Sequence, residues 1–221
     1  MLEALRQVYW PEIWQGTWDT ILMTLLPLFF TVVLGLPLGI LLFITSRGKP
    51  LEQPRFYAVT ALIVNLLRSM PFIILLIILI PLSRAIAGTS LGVRGAIVPL
   101  TIAATPFFAR LVENVLRELD RGILEACQSM GIRLPHIIFG ALLPEALPGI
   151  LAAITVTGVT LISYTAMAGA VGAGGLGDIA IRYGYQRFET TVLIVSVILL
   201  VILVNIMEWI GQRLVRHFTH W

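Results

Sequence analysis

The sequence predicts an all-α membrane protein of five transmembrane helices, and three observations carry that reading. Hydrophobic residues make up 58% of the 221-residue chain and charged residues 12%. The mean hydropathy of +0.95 lies outside the range of soluble domains. The apolar residues fall in runs long enough to cross a hydrocarbon core of about 30 Å, and the charged ones gather between them. Residues 1–221 read as a single domain with a core of about 15–215 and spans near 20–46, 57–83, 95–117, 146–170 and 190–211.

Trp10, Trp14 and Trp18 share one helical face and predict an interfacial belt leading into the first span, with a packed aromatic stripe as the alternative. Thr20 to Ser46 then runs without a charge. Within it Gly35 and Gly39 form a small-xxx-small pattern for close helix approach, while Pro37 offers a bend instead. Arg47, Lys49 and Arg55 crowd the next connection, with Pro50 and Pro54 as breakers. The second span runs from Phe56 to about Ser83 and is interrupted by Arg68 in Asn65-Leu-Leu-Arg-Ser-Met-Pro71. An arginine so deep is costly unless it snorkels, pairs or faces water, so Arg68 either lines a pathway or anchors the helix. A short polar connection with Gly88 and Gly92 precedes the third span, which passes Pro99 and Pro106. Arg110, Glu113, Asn114 and Arg117 then form a stripe at i, i+3, i+4, i+7, expected to pair internally. Glu145 precedes the fourth span, and Arg213, Arg216 and His217 close the fifth.

Five spans place the termini on opposite sides. The connections at 47–55 and 110–133 together with the C-terminus hold nine Lys or Arg; Arg6, Arg84, Arg94, Arg182 and Arg187 make five on the other side. The positive-inside rule therefore predicts an outer N-terminus, a cytoplasmic C-terminus and a cytoplasmic loop at 120–144.

Several chemistries are excluded. The net charge of +3 comes from scattered single basic residues, which implies a lipid bilayer as partner and no nucleic acid. Cys127 permits no internal disulfide, and with His136, His217 and His220 it gives no metal set. Glu3, Arg6, Glu12 and Asp19 precede any apolar run, so no cleavable signal is expected. Gly172, Gly174 and Gly177 formally spell GxGxxG, but they follow a membrane span and predict a tight turn using φ > 0. The lone lysine, in Gly48-Lys49-Pro50, belongs to no triphosphate-binding loop, so any ATP is hydrolysed by another chain. Glu113, Glu118, Asp120, Glu125 and Glu145 lie beside arginines, where solvated ion pairs and no acid–base work are expected.

The 120–144 loop is the longest stretch in the middle of the chain that cannot lie in a membrane. Asp120 can cap a helix beginning at Arg121, and Gly131 suits its C′ position. Ile123, Ala126, Cys127 and Met130 share one face of that helix, which is too short to be stable unless the face docks. Pro135 can start a second short helix, before Leu143-Pro144 turns the chain back to the membrane. The pattern alone leaves a lid on its own helices and a docking element equally open.

Glu125-Ala126-Cys127, Gly131 and Leu143-Pro144 resemble the EAA signature of ABC importer permeases: Glu-Ala-Ala, three residues, Gly, nine residues, then Ile-x-Leu-Pro. Cys127 and Ala141 are small apolar departures from it. NLLRSMPFIILLIILIPL, AIVPLTIAATPFFARLVENVL, LLPEALPGI and YTAMAGAVGAGGLGDIAIRYGY further resemble permease subunits of methionine ABC importers over roughly residues 15–215. The resemblance implies one ABC transmembrane type-1 domain with the type I importer permease fold, in a bacterial inner membrane. It implies a non-enzymatic transport subunit working as a homodimer, with two ABC ATPase subunits on the cytoplasmic side. An extracytoplasmic substrate-binding protein, usually a lipoprotein, would deliver methionine, L- and possibly D-. ATP and Mg would be held by the ATPase, with no cofactor in this chain. Glu125, Ala126, Cys127, Met130, Gly131, Leu143 and Pro144 would be the ATPase-coupling residues.

In the fourth span Ala153, Thr157, Thr160, Tyr164 and Met167 recur at spacings of four and three. With Arg68, the residues Thr157, Thr160, Tyr164 and Met167 are the candidate translocation pathway, Met167 as an outer gate; plain packing is the other reading. The alternatives to a methionine permease are an ABC permease for another amino acid or small solute and, more remotely, a membrane-embedded oxidoreductase subunit using the glycine run.

Overall fold

The computed structural model describes residues 9–219; Glu3, Arg6 and His220 lie outside the described residues. Among the described residues ten α-helices follow one another: α1 (Trp10–Thr45), α2 (Pro54–Ser69), α3 (Phe72–Ile78), α4 (Ile80–Ala87), α5 (Gly92–Glu118), α6 (Arg121–Ser129), α7 (Leu134–Ile137), α8 (Leu143–Gly169), α9 (Gly175–Ile179) and α10 (Thr190–Phe218). Two π-helical stretches, Ile138–Leu142 and Ala180–Tyr185, join α7 to α8 and extend α9. The chain is an all-α membrane protein: α1, α5, the continuous Leu134–Gly169 rod and α10 are each long and apolar enough to cross a bilayer, and α2 with α3 forms a fifth, bent span.

α1 runs 36 residues, about 54 Å at 1.5 Å per residue. That exceeds the hydrocarbon core, so the tryptophan segment and the first span are one helix. Trp14 and Trp18 stand exposed on it, as an interfacial belt requires. Gly35 and Gly39 settle the choice between bend and close approach. A Cβ on Gly35 would strike Phe108 and the Thr105 carbonyl, and one on Gly39 would strike Ala109 and Val112. α1 and α5 therefore touch nearly backbone to backbone, and α8 packs against both.

The second span differs from the expected rod. α2 and α3 meet at 105° across Met70 and Pro71. Pro71 has no N–H for the carbonyl of Leu67, and its ring disfavours helical backbone at Met70, which sits at φ −77°, ψ 131°. The uninterrupted apolar character of 71–82 hides this break. α3 then packs inward through Phe72, Leu75 and Leu76, in a cluster with Leu100, Ala103, Ala104 and Leu161.

The return to the bundle also differs. Leu143-Pro144 is not a turn; helix runs through it, with Leu142 and Leu143 both helical. The preceding π-helical stretch, in which the Leu143 N–H donates to the Ile138 carbonyl, widens the helix where the Pro144 ring would meet the carbonyl of Gly140. The reversal lies at Ile132 and Arg133 instead, ahead of α7.

At the opposite end, Gly172, Gly174 and Gly175 all have positive φ, as expected of a tight turn. α9 is laid across the bundle so closely that a Cβ on Gly177 would meet the backbone of Ala166. Its Leu176 N–H donates to Thr20 Oγ1 at 2.9 Å.

Candidate functional site

Three places carry the residues singled out by the sequence: α6 and its surroundings, the seam between α2 and α5, and the exposed face of α8.

α6 forms as its capping residues dictate. The Gly122 N–H donates to Asp120 Oδ1 at 2.8 Å, and Gly131 follows the C-cap at φ 67° with open space around it. The apolar arc of this helix is wider than the four residues read from the sequence, because Leu124 extends it. The structure divides that arc. Leu124 and Cys127 are buried in one cluster with Phe43, Val112, Leu116, Ile137, Ile138 and Leu142. Ala126 and Met130 face outward, Met130 68% exposed. Cys127, expected to share one face with Ala126 and Met130, packs instead on its own bundle. Glu125 and Gly131 are exposed beside Met130, and Pro144 is exposed while Leu143 is half-buried against the core. Phe139, 70% exposed on the π-helical stretch, adds an outward aromatic that the sequence reading did not single out. No sequence signal marks it, because its exposure follows from the π-helical stretch that buries Ile138 and Leu142.

The charged stripe on α5 pairs internally, but not in solvent. Glu113 has no exposed surface. Its Oε2 accepts from Arg110 at 2.6 Å and its Oε1 from Arg117 at 2.6 Å, and Tyr57 donates to Oε1 at 3.0 Å. Arg110 also donates to Asn65 Oδ1 at 2.9 Å. The expected solvated pair is thus a desolvated one, because α2 covers it. Such a carboxylate is tolerable only with several donors, and removing one partner leaves an uncompensated charge. Further along the same seam Arg68 lies over the Phe107 ring, 5.9 Å from its centroid.

On α8 the stripe read as pathway-lining is split. Ala153 and Thr157 are buried in the protomer, and the Thr157 hydroxyl donates to the Ala153 carbonyl at 2.7 Å. Thr157, expected on the same open stripe as Thr160 and Tyr164, is covered instead by neighbouring helices of its own chain. Thr160 is half-buried and donates to the Val156 carbonyl. Tyr164 stacks on Phe72, centroids 4.5 Å apart and rings 2° from parallel. Met167 is 49% exposed. With Ser163 and Ile73 it borders an open apolar groove of about 580 Å³, also lined by Leu200 and Val204 of α10. The open face of α8 is rotated by about one residue from the expected stripe.

At the end opposite α6, Tyr183 donates to Glu12 Oε1 at 2.7 Å, and Arg182 bridges Glu12 and Asp178. The Glu12 hydrogen bond, followed by desolvation, raises the Tyr183 phenol above its ordinary value.

Residues 35–220 match the family described as the binding-protein-dependent transport system inner membrane component. A probable D-methionine transport system permease protein of Vibrio cholerae is 48% identical over 205 residues, 93% of this chain and 91% of that one. The D-methionine transport system permease protein of Escherichia coli K12 is 48% identical over 162 residues, 72% and 75% of the two chains. A chain of the MetNI methionine ABC transporter, solved in inward-facing conformations, superposes with a TM-score of 0.93 at 48% identity, covering 95% of this chain and 99% of that chain. An amino acid ABC transporter solved with histidines shares the fold at a TM-score of 0.68 and 21% identity.

Proposed function

The chain belongs to the family of binding-protein-dependent transport system inner membrane components, and from that premise we propose that it is the permease of an ATP-driven methionine importer acting as a homodimer. It is a transport subunit of an inner-membrane ABC importer, with ATP hydrolysis in a separate chain. Two such ATPase subunits sit on the α6 side, and a substrate-binding protein delivers methionine at the opposite side. The α6 side is cytoplasmic and the N-terminus is outside; the excess of basic residues at 47–55, 110–133 and the C-terminus supports this orientation.

The observation that carries the coupling role is the divided arc of α6. Leu124 and Cys127 fasten the helix to the Ile138–Leu142 stretch and into the buried cluster that α1, α5 and α8 share, while Ala126, Met130 and Phe139 stay open to a partner. An element anchored on one side and free on the other passes displacement from one body to another, in helix-in-groove fashion. Closure of the ATPases on ATP would move α6. Because α6 joins the buried cluster shared by α1, α5 and α8, the protomers would rock between inward and outward access. Substrate passes between protomers along the α8 face that carries Thr160, Tyr164 and Met167, Met167 gating. Magnesium and ATP stay with the partner chain.

Competition uptake tests this reading. Whole cells expressing the complex should take up labelled methionine, and unlabelled L-methionine or D-methionine should compete while other amino acids compete weakly. Equal competition by all amino acids would reject methionine as the substrate.

A further inference from the structure

The α2–α5 seam holds more positive charge than it neutralises. Arg110 and Arg117 share the single carboxylate of Glu113, which leaves one cation in excess. Arg68 adds a second. It is exposed, and among the described residues its guanidinium meets no carboxylate, only the ring of Phe107. Asn65, which holds Arg110, is one turn before Arg68 on the same face of α2. The exposed Arg68 guanidinium therefore stands one turn of α2 from Asn65, the residue that holds the mostly buried Arg110.

Their depth follows from the helices they touch. Phe107 lies near the middle of the 27-residue α5, and Phe72, just past the break, packs with Ala103 and Ala104. The 105° break thus falls near the centre of the bundle. The chain there leaves helical geometry at Met70, and Pro71 has no N–H to donate. In a bilayer, irregular backbone is tolerated only where protein or a water-filled cavity meets it. An unpaired intramembrane arginine carries the same requirement. Two independent features, a cation without an anion and an interrupted helix, converge on residues 68–71.

We infer that Arg68, with the Asn65–Arg110 pair beside it, is an oxyanion station of the translocation pathway that receives the α-carboxylate of the passing amino acid. This rests on the amino-acid importer reading above. Guanidinium and carboxylate match as bidentate partners, and the uncapped carbonyl end of α2 next to Arg68 suits the ammonium group of the same zwitterion. Tyr164, half-buried and stacked on the buried Phe72 just past the break, offers its outer edge to the side chain.

The test uses the whole complex, permease with its ATPase chains and binding protein, reconstituted in liposomes of phosphatidylcholine alone and of phosphatidylcholine with phosphatidylglycerol. Arg68→Gln should lower labelled methionine uptake on the order of ten- to a hundredfold in both lipids, the range for losing a charge-assisted hydrogen bond. Arg68→Lys should recover only part, because an ammonium cannot pair bidentately. Arg94→Gln, exposed away from the seam, should transport as wild type. Co-purification and the melting temperature check assembly; if Arg68→Gln fails to assemble, Arg68→Lys decides. Wild-type uptake by Arg68→Gln or by Arg68→Lys overturns the station. A defect confined to liposomes with phosphatidylglycerol also overturns it, because the anion is then a lipid headgroup. If wild type takes up no amino acid, the importer reading itself fails, and the station falls with it.

Discussion

Two connections between spans use the same parts and reach opposite ends. Residues 119–142 place two short α-helices and a π-helical stretch between long spanning helices, and residues 170–189 one short α-helix and a π-helical stretch. In the second, the short helix is closed on its own bundle: Leu176 and Ile179 are 0% and 3% exposed, and the Glu12–Arg182–Tyr183 clasp holds the segment to α1. In the first, α6 has only Leu124 and Cys127 covered, and Met130 on it and Phe139 beyond it stay about two-thirds exposed. The fold can therefore bury a short helix completely when the partner lies in the same chain. The arc left open on α6 is the one for which no in-chain partner is built.

Substitutions can break or sharpen this contrast. Gly177→Val should have the largest effect, because its side chain must enter the Ala166 backbone. We expect little folded protein, seen as loss of a monodisperse peak in detergent. Leu124→Ala opens a cavity in the covered half of α6 and should cost about 2–5 kcal/mol, measured as a lower melting temperature of the permease. Gly131→Val meets no neighbouring atom and costs only the strain of positive φ, about 1–2 kcal/mol. It should insert normally yet uncouple ATP hydrolysis from uptake; unchanged transport would refute a docking role for the loop. Asp120→Ala removes the α6 cap at about 1 kcal/mol. Amide exchange in residues 121–130 should then rise, while the protection of α9 stays constant.

The smallest effect is at the clasp of the closed connection. A phenol whose folded pKa is raised by its Glu12 bond favours folding while protonated. That contribution is present below the ordinary tyrosine pKa of about 10 and is lost as pH rises through the folded value. Tyr183→Phe should abolish this alkaline step in melting temperature and leave the neutral-pH value lower by only the equivalent of about 1 kcal/mol.

The contrast also separates what the sequence could carry from what it could not. The Asp120 cap, the Gly131 C′ position and the φ > 0 glycines at 172–175 are local, and short-range steric and hydrogen-bond rules suffice for them. The pairing of Arg110, Glu113 and Arg117 was legible from helical spacing. Its burial was not, since Tyr57 and Asn65 reach it from 45 to 56 residues away. The continuity of helix through Pro144 depends on a π-helical widening that no residue pattern announces. Thr157 looked equivalent to Thr160 because periodicity gives a face but not which neighbour covers it. At Pro71 the breaker was in plain view, and the apolar run beyond it concealed that the chain changes direction.

The central claim is that the open half of the α6 arc meets the ATPase while the covered half does not. Photo-crosslinking from a reactive side chain placed at position 130, and separately at position 124, in the assembled complex tests it most directly. The account predicts a permease–ATPase adduct from position 130 and only crosslinks within the permease from position 124. ATPase adducts from position 124, or none from position 130, would contradict it.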